Sequence, residues 1–413
     1  MKSIVTFLVT VGIAASSLAP PAIAQQQPSY TVTDLGTFPG GDNSSGYGIN
    51  NAGWVTGCSN RAANGPQKAF LWYGYNPFGA YPLTDLGTLG GPASCANGPN
   101  ASGEALVVST TSKTDPNGES FCPGLGPNLQ CLAAVWKSGT LTALPTLPGG
   151  NNAKNFWLNN QGQVAGFSEN GIMDPTCAPF TPSQVLRFEA VLWTPDGTIR
   201  ELSPLAGDTV GFAWGINNKG QAVGTSGLCS NTSYPAANPA GPHAVLWEAD
   251  GTPTDLGNLG GPSNAGVYNV ATSINNRGQV VGFAQLPDGT QDGFLWTRET
   301  GMQDLGGFPG AIATGPPCCN TINDSGHVVG FSLDENFNSR AIVWQDKTPV
   351  DLNTLIPAGS PWYLLAAESI DNAGKITGQT LLKSACDGGT AGMAWLNNQG
   401  SCPVVHAFVA TPR

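Results

Sequence analysis

The chain has 413 residues, of which 56 are Gly and 33 Pro, together about a fifth, and charged residues make up only 10%. Long helical bundles and coiled coils are excluded, because helices do not carry so many breakers and a coiled coil needs the missing charge. Disorder is excluded by the 40% of hydrophobic residues and 11 Trp, and a net charge of −11 without any basic cluster disfavours nucleic acid or an anionic membrane as partner.

Residues 1–24 read as a secretory signal. Lys2 supplies the positive start, 4–18 an apolar run, and Ala22-Ile23-Ala24 the small residues that a signal peptidase requires. The mature chain is expected to begin near Gln25, to carry no membrane span, and to be secreted to an extracellular or periplasmic space. Ten cysteines in an exported chain point to disulfides.

From there on a single repeat organises the sequence. A turn of the form Asn/Asp-Asn/Asp-x-Gly recurs at Asn50 to Gly53, Asn159 to Gly162, Asn217 to Gly220, Asn275 to Gly278, Asn323 to Gly326 and Asp371 to Gly374, with a degenerate copy at Asn100 to Gly103. The spacings between the turn glycines are 50, 59, 58, 58, 48 and 48 residues, the length of one four-stranded sheet with its connections. An apolar residue precedes each turn: Ile49, Pro99, Leu158, Ile216, Ile274, Ile322 and Ile370. Asn and Asp suit the turn because their side chains bond nearby backbone, and Gly takes the left-handed conformation that closes the hairpin. A short β-branched second strand follows, as in Gln279-Val280-Val281-Gly282-Phe283. Then come a variable segment, a third strand ending in Trp (Trp72, Trp136, Trp193, Trp247, Trp296, Trp344), and a fourth strand of the type Asp85-Leu86-Gly87.

The ends of the chain bear on closure. Thr33-Asp34-Leu35-Gly36 is a fourth-strand motif standing before the first full unit, while the last unit stops after its third strand, His406 to Ala410. An open array would leave both ends unpaired. The expected fold is therefore all-β, a seven-bladed β-propeller of four-stranded blades closed by the N-terminal strand, forming one domain over 25–413 and acting as a monomer. A competing third strand at 392–396 would shift the register of the last blade.

The recurrence of Asp-Leu-Gly, of Ile274-Asn275-Asn276-Arg277-Gly278-Gln279-Val280-Val281-Gly282, and of the triplet His406-Ala407-Phe408 followed by an apolar pair resembles the HAF-repeat family of bacterial extracellular proteins. The resemblance covers 30–412 and implies an exported, propeller-like protein, with no shared catalytic residues or substrate to carry over. The His of the triplet is replaced by Lys68, Leu132, Glu189, Asp292 and Arg340 elsewhere, so it is not an obligatory catalytic group.

In a meander of this order the first-to-second and third-to-fourth turns share one face, and both are short. The opposite face receives the variable insertions at 110–130, 169–188, 227–242 and 380–405, and long irregular segments on a rigid scaffold are where function concentrates. All ten cysteines fall near that face. The pairings expected are Cys58 with Cys95, Cys122 with Cys131, Cys177 with Cys229, and Cys386 with Cys402, while the adjacent Cys318 and Cys319 either bond each other or find other partners. His243, His327 and His406 lack ligand spacing, so no metal and no cofactor are expected. Asp196, Asp250 and Asp288 read as turn residues, and the recurring Asp34, Asp85, Asp255, Asp304 and Asp351 as structural hydrogen-bonding devices. No Gly-x-Ser-x-Gly nucleophile motif occurs.

Six residues before each turn glycine stand Tyr47, Asn97, Phe156, Trp214, Thr272, Asn320 and Glu368. The motif does not dictate their type, and aromatic and amide groups near a central opening suit the stacking and polar readout of a sugar. Tyr47, Asn97, Phe156, Trp214, Asn320 and Glu368 are thus the candidate ligand-binding residues, against ordinary packing between blades. The function expected is non-catalytic binding of an extracellular glycan or protein through the variable face. The alternative is a carbohydrate-active hydrolase or lyase using a funnel carboxylate such as Glu368 or Asp387.

Overall fold

The computed structural model describes residues 29–76, 79–80, 82–177, 184–232, 241–261, 269–318, 320–385 and 404–413. The expected signal at 1–24, Asp387, Cys319, Cys386, Cys402 and the strand-like segment 392–396 lie outside the described residues. Helix is confined there to four three-residue 3-10 turns, and none of the described helices is long and apolar enough to cross a membrane.

Strands follow the repeat. The first sheet is Ser44–Ile49, Val55–Asn60, Gln67–Trp72 and Thr84–Asp85, and the second is Gly90–Pro99, Ala105–Thr114, Leu129–Lys137 and Thr140–Ala143, each an antiparallel meander in chain order. The third and fourth, starting at Ala153–Leu158 and Val210–Ile216, repeat this order. The next two units, from Val270–Ile274 to Thr348–Asp351, are joined into one eight-stranded sheet by a short parallel pairing of Gln291 with Ala313 and Asp292 with Thr314. In the last sheet Trp362–Ile370, Ile376–Leu382 and Val405–Pro412 take their fourth strand from the other end of the chain, since Tyr30–Asp34 pairs antiparallel with Val405–Pro412 from Tyr30 opposite Pro412 to Asp34 opposite Phe408. His406 Nδ1, 2.9 Å from Asp34 Oδ2, reinforces that pairing.

The repeated residues have local tasks. All seven turn glycines have φ between +77° and +87°, the left-handed region that side chains disfavour. The aspartates of the fourth strands accept the amide two residues on, as Asp34 Oδ1 does from Gly36 N at 2.8 Å and Asp304 Oδ1 from Gly306 N at 2.7 Å. Asp196, Asp250 and Asp288 close their hairpins in the same way. The strand-ending tryptophans tie neighbouring sheets together: buried Trp193 donates Nε1–H to Pro145 O and Trp247 to Ser203 O, both at 2.8 Å. The core is accordingly a series of inter-sheet layers, each mixing residues of two consecutive units.

Three of the expected disulfides are present, Cys58–Cys95, Cys122–Cys131 and Cys177–Cys229, and Cys318 is disulfide-bonded as well. The first and third each join two neighbouring units.

Candidate functional site

The turns between first and second strands converge. In each, the first Asx side chain accepts two backbone amides of its own turn, as Asn217 Oδ1 does from Lys219 N at 2.9 Å and Gln221 N at 3.1 Å. Its Nδ2 then donates to the carbonyl of the equivalent residue in the next unit. This contact runs Asn50 to Asn100, Asn100 to Asn159, Asn159 to Asn217, Asn217 to Asn275, Asn275 to Asn323 and Asn323 to Asp371, at 2.9–3.4 Å. Gln163, Gln221 and Gln279, which follow the turn glycine, each accept a further Nδ2–H at 2.8 Å, which explains the Gln of the repeat.

The second turn residue builds another circuit. Its Oδ1 accepts the backbone N–H of the preceding unit: Asn160 from Ala101, Asn218 from Asn160, Asn276 from Asn218, Asp324 from Asn276, Asn372 from Asp324, and Asn51 from Asn372, all at 2.9–3.0 Å. The last of these bonds links the final turn to the first. The turn itself needs only its first Asx, so the recurrence of Asn at the second position is the sequence signal that a purely structural reading of the turns passes over.

These turns enclose a cavity of about 230 Å³. Its walls are the amides just named, and its floor is apolar, with Ile49, Pro99, Leu158, Ile216, Ile274, Ile322 and Ile370. Those are the residues that precede each turn. Asp324 is the one carboxylate among the described lining residues. Although burial works against its charge, hydrogen bonds from Asn276 and Asn372 hold its carboxyl below the ordinary range. The Nδ2 groups of Asn276 and Asn372 are thereby engaged on Asp324 at 2.9 and 3.0 Å. Those of Asn51, Asn160 and Asn218 have no protein partner among the described residues. The cavity thus offers unpaired amide donors beside one ionised acceptor over an apolar floor.

The sequence-derived candidates sit deeper along the same innermost strands. Four of the six, Tyr47, Phe156, Trp214 and Glu368, are bulge residues that the pairing skips, as it skips Thr272 at the equivalent place in the fifth unit, and each has no partner on the second strand. In the second unit the skipped residue is Gly98, one place beyond Asn97. A bulged residue leaves the pleat, and this is why the repeat does not fix its type. The neighbouring second-strand glycine is fixed for the converse reason, since a Cβ on Gly57 would lie 1.9 Å from Ser45 O and one on Gly224 1.8 Å from Phe212 O.

Bringing these residues together produces packing. Phe156 and Trp214 are buried and stack on each other at 4.0 Å between ring centroids, and they belong to a cluster with Phe121, Phe167, Phe188, Phe212, Phe283 and Phe331 on the insertion side. Their faces are spent on one another and not presented to a ligand, although the buried Nε1 of Trp214 lacks an acceptor. Asn97 donates to Asn155 O at 3.4 Å. Glu368 is buried with Gln379 Nε2 3.2 Å away, and desolvation pushes its carboxyl up to about 8. Burial, with the Glu368 charge second, pushes the Tyr47 hydroxyl up to about 12. Asn320 alone of the six lines the cavity, where its Nδ2 donates to Ile370 O at 3.0 Å. The cavity therefore lies at the turn end of the strands, opposite the insertions where sequence reasoning placed recognition.

Titratable clusters lie at the insertion end. Asp174, Cys177 and Cys229 converge, but both thiols are consumed in a disulfide. Asp115, Glu119 and Glu169 also converge, all buried. Histidine and cysteine spacing gives no sign of these carboxylates, since Asp115 and Glu119 stand at the far end of the second unit and Glu169 on the strand Val164–Met173 of the third.

No protein-family model and no curated protein matches the chain. Solved structures to which it is similar include the β-propeller domain of the Trilobed protease from Pyrococcus furiosus, at 9% identity and a TM-score of 0.44, covering 85% of this chain and 91% of that one. A streptogramin B lyase structure is similar at 11% identity and a TM-score of 0.48, covering 93% and 98%. Aleuria aurantia lectin in complex with α-methyl-L-fucoside is similar at 11% identity and a TM-score of 0.36, covering 78% and 99%. Similarity at this level transfers no activity and no ligand to this chain.

Proposed function

We propose that the chain is a secreted, single-domain seven-bladed β-propeller, closed by Tyr30–Asp34, that holds a small polar group of an extracellular glycan in the amide-lined cavity without altering it. The propeller reading is supported by the pairing of Tyr30–Asp34 with Val405–Pro412 and by the bond from Asn372 N to Asn51 Oδ1. Secretion is supported by the disulfides, which persist in oxidising compartments.

The observation that carries the binding reading is the cavity lining. The Nδ2 donors of Asn51, Asn160 and Asn218 and the carboxylate of Asp324 belong to residues that line one cavity together with the isoleucines. Hydroxyl groups accept from the former and donate to the latter, and C–H faces rest on isoleucine. A volume of about 230 Å³ lies below the roughly 300 Å³ at which pockets for drug-sized ligands begin, the scale of one sugar ring. A glycosidase would need two carboxyl groups flanking the bond. The described lining supplies Asp324 alone.

A glycan array on the mature protein, run beside an assay for reducing-sugar release, tests this. Retention of a glycan without release is expected, weakened tenfold or more in Asn160→Asp/Asn218→Asp, which keeps each Oδ1 acceptor and removes two donors. Release would convert the binder into a hydrolase, and an array without any retained glycan would end the reading.

A further inference from the structure

The second strong chemical feature lies at the other end of the strands and is independent of the cavity. Asp115 and Glu119 come from the first variable insertion and Glu169 from the strand Val164–Met173, which runs into the second, and one carboxylate oxygen of each lies within 4.8 Å of the others. All three residues are buried, at 3%, 1% and 0% exposure. Their hydrogen-bond donors are neutral. Asp115 Oδ1 accepts from Asn117 N and Glu119 N, and Asp115 Oδ2 from Asn152 Nδ2 at 2.8 Å. Glu169 accepts from Asn151 N, Asn152 N and Asn152 Nδ2, and from Gln184 Nε2 at 3.0 Å. Glu119 Oε1 is held by the backbone amides of Val185 and Leu186. Among the described residues no Lys, Arg or His forms an ion pair with any of the three.

The independent observation is Glu119 Oε2. It is fully buried and has no hydrogen-bond partner. An oxygen that gives up water without a replacement costs about 1–3 kcal/mol, and more when charged. Three buried carboxylates around it without a positive charge would each add a penalty of several kcal/mol.

We propose that Asp115, Glu119 and Glu169 bind a calcium ion that clamps the first two insertions together. Hard carboxylate oxygens, with no nitrogen or sulfur, are the ligands Ca²⁺ takes, and oxygens about 2.4 Å from a common ion lie at most about 4.8 Å apart. Mg²⁺ demands near-ideal octahedral geometry and sheds its waters reluctantly, which suits an enclosed cluster of carboxylates less well. The amide donors of Asn152 and Gln184 orient the carboxylates as outer-shell groups do in metal sites. The clamp would act beside the Cys122–Cys131 and Cys177–Cys229 bridges, which fasten the same insertions.

The test is calorimetric titration of the full mature chain, stripped with EDTA and desalted, with CaCl₂ and separately MgCl₂, together with thermal unfolding. One Ca²⁺ per chain is expected, with Tm raised by about 3 °C or more at saturation. Glu119→Gln, which keeps shape and removes charge, is expected to weaken Ca²⁺ binding at least tenfold. Should that variant fold poorly, Asp115→Asn provides the same comparison. Absence of heat and of any Tm shift with Ca²⁺ would overturn the proposal and leave a proton shared by Glu119 and Glu169 as the occupant. Binding of Mg²⁺ alone, or Ca²⁺ binding unchanged in both variants, would overturn it equally.

Discussion

The two ends of the inner strands solve the same problem in opposite ways. At the turn end the units contribute nearly the same polar device, so each side-chain amide satisfies a main-chain carbonyl of the next unit in series and the turns together line a cavity. At the insertion end the units differ, and the space is filled by aromatic rings, disulfides and buried acids specific to particular pairs of units. Repetition thus gives a surface of uniform chemistry, suited to recognising a small polar group. Variation gives a one-off brace. Stability at the insertion end rests on a few strong local links, and at the turn end on many equal ones.

That contrast can be broken from either side, and the largest effect is expected at the brace. Replacing both Cys177 and Cys229 with Ala opens a link between residues 52 apart in sequence, which on chain-entropy grounds costs about 4 kcal/mol. Denaturant unfolding should show that loss, with glycan retention intact if the two ends are independent. At the turn end, Asn217→Ala removes two accepted and two donated hydrogen bonds, one of them to the next unit. A cost of about 3 kcal/mol is expected, since buried backbone groups are left without partners, and here retention should fall along with stability.

A third effect lies between the ends, at Glu368. Its carboxyl, ordinarily near 4.5, is pushed up to about 8 in the fold by desolvation. Below the lower value both folded and unfolded chains are protonated. Between the two, the unfolded chain ionises while the folded one holds its proton, so stability falls as pH rises from about 4.5 to 8 and levels off above. The drop is expected to be on the order of 2 kcal/mol once water entry is allowed for. Glu368→Gln should flatten the profile. An unchanged profile would place the proton uptake elsewhere.

The same contrast governs what could be read from sequence. The turns, the strand order, the N-terminal strand's partner and three cysteine pairs were legible, because each leaves a recurring or complementary mark. The bulges were half legible: unrestricted residue type at Tyr47, Phe156 and Trp214 signalled a special position, yet not that the rings would bury each other. The carboxylate cluster left no mark. Asp115, Glu119 and Glu169 meet only because the first insertion folds against the strand Val164–Met173 of the next unit, and no spacing rule links them. The cavity leaves a mark that hides itself, because an Asn-Asn-x-Gly turn is accounted for locally and nothing in the sequence asks its second amide for a further role.

One unit departs from the turn-end pattern in a way that sharpens the comparison. Six units have Asn at the first turn position, and each passes an Nδ2–H to the next carbonyl. The seventh has Asp371. It accepts from Ala373 N and Lys375 N as the others do, but its Oδ2 is buried and has no partner. The order of contacts puts the carbonyl of Asn50 next in line, so an oxygen stands where a donor is needed. Desolvation raises the Asp371 carboxyl above its ordinary value, with the Lys375 contacts opposing. Protonated, Oδ2–H can donate as the amides do. Ionised, it repels the carbonyl, so its contribution to stability declines as pH rises from the unfolded-state value through the folded one. Asp371→Asn supplies the missing donor at every pH. The expected gain is about 1 kcal/mol, the net worth of one buried hydrogen bond, present above the raised folded-state value and vanishing in acid where Asp371 already carries its proton. Unfolding of the variant and the parent at both pH values decides the matter. Destabilisation at neutral pH would mean that the charge of Asp371 is used within its own turn, where Lys375 opposes the cost of burial.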